Sequence, residues 1–383
     1  MIYISTTLRS GLLRRATHIS KSGCFYSTRK AHEPLRILFC GSDDFSIASL
    51  TALHGEHLRK PETIASLDVV CRPGKPVGRG LKKLREVPIA KVARELQLPL
   101  HQIDTFTGWQ PPKPQDLPIN LVVAVSFGLL VPPRILRSAR YGGLNVHPSL
   151  LPEFRGPAPL QHTLLIGRER TGVTVQTLHP KHFDQGSIVF QTPLPGFQHH
   201  CQNLPDLVRL MAREGSRMLL NCIRNSSFVS PPEQSSSKLA SRGCIAAANA
   251  PKITTTDRHI DWATWTSEVI MRRHRVIGPL WNIVNPGERR VIWSSGFVDS
   301  DQDFADLRLG TGQPFISELG KAEEAIYIKT CDNKVLRVHE ITIDGGHKKR
   351  PIPSVKQAKI YSGKELGFDR DFTIHDLLDA QLG

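Results

Sequence analysis

The stretch Ile119-Asn-Leu121-Val-Val-Ala124-Val-Ser126 decides the fold. Apart from Asn120 it is apolar up to Val125, with none of the in/out alternation of a half-exposed strand, so it predicts a strand of a parallel sheet covered on both faces. Leu35-Arg-Ile-Leu-Phe-Cys40 reads as a buried first strand and Leu67-Asp-Val-Val-Cys71 as a second. Between them Ile47 to Leu53 reads as helix. Later Ile89, Val92, Ala93 and Leu96 fall at the i, i+3, i+4, i+7 spacing of one helical face. Gly143 to Val146, Gly172 to Leu178 and Ser187 to Gln191 supply more strands, and a helix is predicted over Pro205 to Ile223. Strands alternating with helices predict a doubly wound α/β sheet, with ligands beyond the carboxyl ends of the strands.

Chemistry is concentrated at one such end. Gly143-Leu-Asn145-Val-His147 runs into Pro148-Ser149-Leu-Leu-Pro152-Glu-Phe-Arg155-Gly156-Pro-Ala-Pro159, a loop punctuated by proline and glycine. Residues two apart in an extended segment point to the same side, so Asn145 and His147 can face one cavity. An amide donor beside a titratable imidazole suits polarising a carbonyl and handling the proton of an attacking nucleophile. Ser149 lacks the Gly-x-Ser-x-Gly elbow of a nucleophilic serine. Gly41-Ser-Asp-Asp lacks the Gly-x-Gly-x-x-Gly phosphate turn, which argues against a dinucleotide.

The 383 residues, 39% hydrophobic and 22% charged, fit a soluble globular protein of two domains. No apolar run approaches the roughly 20 residues of a membrane helix. A formal net charge of +15 attracts polyanions, nucleic acid first among them. The seven cysteines are scattered and never in Cys-x-x-Cys spacing, which points to a reducing compartment and away from a zinc cluster. His199-His200-Cys201 has no second ligand pair at a suitable spacing and reads as a solvated loop. Residues 1–32 stand apart. Arg9, Arg14, Arg15, Lys21, Arg29 and Lys30 precede the first acidic residue, Glu33, with Leu8, Leu12 and Leu13 near helical spacing, the composition of an organellar transit peptide. Six of the +15 charges lie there, so +9 remains on the rest of the chain.

Arg72-Pro-Gly-Lys75-Pro-Val-Gly78-Arg79-Gly80-Leu-Lys82-Lys83 reads as a mobile basic loop, spanning 72–85, whose glycines let backbone approach a phosphate or an unstacked base. Asn225 to Lys238, rich in Ser and Pro, reads as a linker. Beyond it come a helix near Trp265 to Val276 and short strands at Arg289 to Trp293, Ala325 to Thr330 and Lys334 to Ile343, the pattern of a small β-rich domain. Arg272, Arg273 and Arg275, then Arg289-Arg290, then Lys348-Lys349-Arg350 give it three basic clusters suited to phosphate contacts.

The ordered run Asn-Val-His-x-Ser-Leu-Leu-Pro-x-x-Arg-Gly-x-x-Pro at 145–159 resembles the signature of the 10-formyltetrahydrofolate-dependent formyltransferases, in detail the branch acting on methionyl-tRNA. The likeness covers most of the chain from Leu35 onward. It implies a Rossmann-like formyltransferase domain at 33–224, a linker at 225–244 and a C-terminal OB-like β-barrel at 245–383 that binds tRNA. Residues 1–32 become a mitochondrial transit peptide for a monomeric matrix protein with no membrane segment. The resemblance assigns catalysis to Asn145, His147 and Asp184, the last standing where the family carries an Asp-Thr-Gly turn, here with Gln185 in place of Thr. It assigns folate contacts to Phe127, Gly128, Leu129 and Leu130 and to Ser149, Leu150, Leu151 and Pro152, and tRNA contacts to Arg79, Lys82, Lys83, Lys348 and Lys349. Glu153 departs from the basic residue that relatives often have. The implied donor is 10-formyltetrahydrofolate, the acceptor initiator methionyl-tRNA, and no metal is required. A folate enzyme acting on a small amine or water is disfavoured by the 72–85 loop and the basic tail domain. A catalytically idle RNA-binding protein is disfavoured by the joint presence of Asn145, His147 and Asp184.

Overall fold

The computed structural model describes residues 32–230, 247–284, 289–293, 298–299, 311, 314–317, 325–338, 340–343 and 350–351. The transit-peptide assignment, apart from His32, and the residues Lys348 and Lys349 lie outside them.

Strand β1 (Leu35–Gly41) leads through helix α1 (Asp44–Arg59) to β2 (Ile64–Cys71), followed by β3 (Lys75–Val77), β4 (Lys83–Arg85), α2 (Pro88–Glu95) and β5 (Leu100–Gln102). Next come β6 (Leu121–Val125), α3 (Pro133–Ser138), β7 (Gly143–His147) and α4 (Pro159–Leu165). Strands β8 (Arg170–Thr171), β9 (Thr174–Thr177), β10 (Ile188–Gln191) and β11 (Phe197–Gln198) precede the long helix α5 (Leu204–Arg224). One sheet takes seven strands in the order β10-β9-β7-β6-β1-β2-β5. From β5 to β7 the pairs are parallel, as a doubly wound fold requires. Strands β9 and β10 are antiparallel to their neighbours. The sequence marks them as strands but not as reversed, because side-chain pattern carries no strand direction.

Every residue of β1 and β6 is buried. Alternation sends Ile37, Phe39, Val123 and Val125 to one core with α1 and α5, and Leu38, Cys40, Val122 and Ala124 to a second with Phe127, Val131 and Ile135. Leu144 and Val146 join the first, so Asn145 and His147 look out on the second side. Gly41 serves packing and not phosphate binding, since a Cβ there would stand 2.7 Å from Ile89 Cδ1 and 2.8 Å from Phe39 Cε1. Helices α1 and α5 are tied by the buried Glu56, which accepts from Arg224 Nε at 3.0 Å and Nη2 at 2.5 Å. Those bonds hold the Glu56 carboxyl below the usual carboxylate range.

The structure revises three local expectations. The 72–85 segment is a hairpin, with β3 and β4 paired antiparallel about Gly78 (φ 83°) and Gly80 (φ 73°). The chain past Arg224 keeps packing on the N-terminal half: Phe228 is buried, with its ring 5.2 Å from Tyr141 and 5.0 Å from His32. His199 is buried and not solvated, because β11 pairs with β8 beside it and its N–H donates to the Glu169 carbonyl at 2.9 Å. Burial lowers its pKa and favours the neutral ring.

The C-terminal half opens with α6 (Ser267–Ile277), which packs on α4. Strands β12 (Leu280–Val284), β13 (Arg289–Trp293), β14 (Val298–Asp299), β15 (Pro314–Ser317), β16 (Ala325–Lys329), β17 (Val335–Val338), β18 (Glu340–Ile343) and β19 (Arg350–Pro351) follow. They form two antiparallel sheets, β12-β13-β18-β19 and β14-β17-β16-β15. The single strand expected over Lys334 to Ile343 therefore divides between them. No helix among the described residues is long and apolar enough to cross a membrane.

Candidate active site

The second core is the smaller one and stops short of β7 and β9, leaving a cavity of about 610 Å³ over the carboxyl ends of β6 and β7. Asn145 and His147 line it from β7, Asp184 from the turn after β9, and Phe127, Gly128, Leu129 and Leu130 from the loop after β6. Such a volume suits a small-molecule ligand, and the mixture of apolar walls with a few convergent polar groups is what fixes its orientation.

The polar groups form one network. His147 Nδ1 lies 3.3 Å from Asp184 Oδ1, and Nε2 lies 2.9 Å from the Phe154 carbonyl. Both neighbours are acceptors, the carbonyl at hydrogen-bond distance and the carboxylate at ion-pair distance. Asp184 Oδ2 accepts from the Gly156 N–H at 2.9 Å. Asn145 Nδ2 donates one hydrogen to the Ala124 carbonyl at 3.0 Å, which aims the amide and keeps its second hydrogen on the cavity side. Ser126 (φ 48°), Phe154 (φ 57°) and Asp184 (φ 53°) hold left-handed backbone around these contacts, a conformation costly to non-glycine residues and characteristic of sites where geometry is imposed.

Expectation and structure differ at one point. Ser149, Leu150, Leu151 and Pro152 do not line the cavity: all four are buried, with Ser149 Oγ donating to the Glu153 carbonyl at 2.6 Å and the Leu151 N–H to Thr174 Oγ1 at 3.1 Å. They turn inward because the loop must satisfy its own backbone against β9. Pro157, Pro159, Leu160 and Gln161 form that wall of the cavity instead.

Sequence reading missed Gln176. It is buried at the centre of β9, opposite Asn145 in the ladder. Its Nε2 donates to Asn145 Oδ1 at 3.1 Å and to Asp184 Oδ1 at 3.2 Å, and its Oε1 accepts from the Gly186 N–H at 3.1 Å. The available signal was a lone amide inside Val173-Thr-Val-Gln176-Thr, where a buried polar side chain needs partners.

On the hairpin, Lys82 and Lys83 are exposed, as are Leu81 and Leu84. The Arg79 side chain lies outside the described residues. Glu153 forms an ion pair with Arg168 at 2.9 Å, which gives its carboxylate a partner away from the polar network of the cavity.

A sequence profile described as formyl transferase matches residues 35–218. The mitochondrial methionyl-tRNA formyltransferase of Homo sapiens is 34% identical over 266 residues, 69% of this chain and 62% of that protein. Its counterpart in Saccharomyces cerevisiae is 32% identical over 296 residues, 67% of this chain and 72% of its own length. That of Bos taurus is 34% identical over 313 residues, 81% of this chain and 74% of its own length.

Proposed function

The chain belongs to the methionyl-tRNA formyltransferase family, and from that membership we propose that it transfers the formyl group of 10-formyltetrahydrofolate to the α-amino group of initiator methionyl-tRNA in the mitochondrial matrix. The observation that carries this reading is the convergence of Asn145, His147 and Asp184 on one wall of a cavity of about 610 Å³. The donor's ring system enters beside Phe127, Gly128, Leu129 and Leu130, where apolar side chains and loop backbone meet.

The acceptor amine has a reference pKa of about 7.7–8.0, so a useful fraction is neutral at physiological pH. Its nitrogen attacks the formyl carbon, the bond from that carbon to N10 breaks, and the proton lost by the amine ends on N10. Asn145 donates its second amide hydrogen to the formyl oxygen as negative charge grows there. His147, held between the Phe154 carbonyl and Asp184, keeps that carboxylate oriented beside the reacting groups. Asp184 stands where it can accept the amine proton and pass it on.

The hairpin bearing Arg79, Lys82 and Lys83 and the C-terminal half, read as an OB-like barrel at 245–383 carrying Lys348 and Lys349, supply the cations for the tRNA acceptor end. Residues 1–32 act as the transit peptide, and the mature protein works as a monomer. The test is incubation of the chain lacking residues 1–32 with 10-formyltetrahydrofolate and methionyl-tRNA. Formylmethionyl-tRNA should accumulate, with free methionine and water as poor acceptors. A competent donor with no transfer to the tRNA would overturn the reading.

A further inference from the structure

Segment 152–158 belongs to no helix or sheet, yet its backbone holds the catalytic pair. The Phe154 carbonyl takes His147 Nε2, and the Gly156 N–H gives to Asp184 Oδ2. Arg155, between them, is gripped from far along the chain. Its N–H donates to the Ala248 carbonyl at 3.0 Å, and its carbonyl accepts from the Ala250 N–H at 2.6 Å. The Ala158 N–H donates to the Ala250 carbonyl at 3.2 Å, the Ala248 N–H to the Pro152 carbonyl at 3.4 Å, and Arg155 forms a parallel bridge with Asn249. Ala250 is fully buried. A Cβ on Gly156 (φ 120°) would stand 2.7 Å from the Ala250 carbonyl oxygen, so the two backbones lie flat against each other.

We propose that Ala248–Ala250 is a positioning strap of the active site: main chain leading into the C-terminal half sets where the Phe154 carbonyl and the Gly156 N–H stand, and through them His147 and Asp184. The proposal rests on the formyltransferase reading for its kinetic arm only. The physical ground is that loop backbone needs hydrogen-bond partners and at Arg155 takes both of its own from this distant segment, and that a shift of one ångström near reacting groups is felt in rate. The strap is anchored beyond Ala250 as well. His162 Nε2 lies 3.0 Å from the Pro251 carbonyl, and Arg273 Nη2 donates to the Asp257 carbonyl at 2.7 Å, which ties the segment to α4 and α6.

The test uses the full chain with Ala250 replaced by its α-hydroxy acid analogue, an ester that deletes only the N–H given to Arg155. Ala250→Gly, which keeps every strap hydrogen bond, is the control. The ester should slow single-turnover transfer about 10–100-fold while donor binding stays within about 2-fold, and the control should stay within about 2-fold on both counts. The His147 ring N–H resonances should shift in the ester and not in the control. Should the Ala250 ester fail to fold, the same ester at Ala158, deleting the N–H given to the Ala250 carbonyl and leaving the Phe154 carbonyl an amide, carries the same expectation. An ester variant with unchanged rate and unchanged His147 resonances overturns the proposal. An unaltered chain that transfers no formyl group, while its His147 resonances respond to the ester, overturns the functional reading and leaves the strap standing.

Discussion

Gln176→Leu separates holding the site together from filling the core. Leucine matches the volume and burial of the glutamine but removes three hydrogen bonds, those to Asn145, Asp184 and the Gly186 N–H. Two of them are neutral, worth about 1 kcal/mol each, and the one to a carboxylate about 1.5–3 kcal/mol. The buried Gly186 N–H is left without an acceptor, whereas Asn145 and Asp184 can recover some bonding from water in the cavity. The net expectation is a loss of about 3 kcal/mol, which lowers the melting midpoint by roughly 6–12 °C. Transfer should fall about 10²-fold because the Asn145 amide is no longer aimed. The assay pairs thermal melts with single-turnover formylation in Gln176→Leu, Asn145→Ala and the double variant. If Gln176 acts through Asn145, the double variant is no slower than Asn145→Ala alone. Rate penalties that simply add would refute the argument.

Three further outcomes follow from the same geometry. Asn145→Ala should cut turnover about 10²–10³-fold with little change in donor affinity, the usual effect of losing one oxyanion donor; near-normal turnover would remove Asn145 from the chemistry. Glu56→Gln should cost about 2 kcal/mol at pH 7, below the 3–5 kcal/mol of a fully buried broken pair because Arg224 is partly exposed. The folded-state Glu56 pKa is lowered, so its contribution is complete above the unfolded value near 4.3 and fades as pH falls through the lower folded value. The stability gap between variant and parent should accordingly close in acid, and urea melts showing a gap independent of pH would contradict the pairing. Lys82→Ala with Lys83→Ala should weaken methionyl-tRNA binding and reduce the salt slope of log K by roughly 1.5–2, leaving the KM for the donor alone; filter binding across a salt series checks it.

Much of the fold was legible because periodicity is written in side chains. The apolar runs at Leu35–Cys40, broken only by Arg36, and at Leu121–Val125 marked central parallel strands, and the spacing of two residues put Asn145 and His147 on one face. Hairpin pairing within 72–85 was not legible, since three-residue strands between glycines look like loop. Nor was the inward turn of Ser149 to Pro152, where a run shared with a ligand-binding signature turned out to secure its own backbone to Thr174.

The sequence alone therefore determined the sheet's central strands, the shared face of the amide and imidazole, and the basic arm, all properties of neighbours in the chain. Tertiary structure decided the reversal of β9, the amide bridge of Gln176 and the grip of Ala248–Ala250 on Arg155. The physical reason is that backbone groups are the same in every residue: a loop held by main-chain hydrogen bonds from a distant segment leaves no side-chain pattern to read.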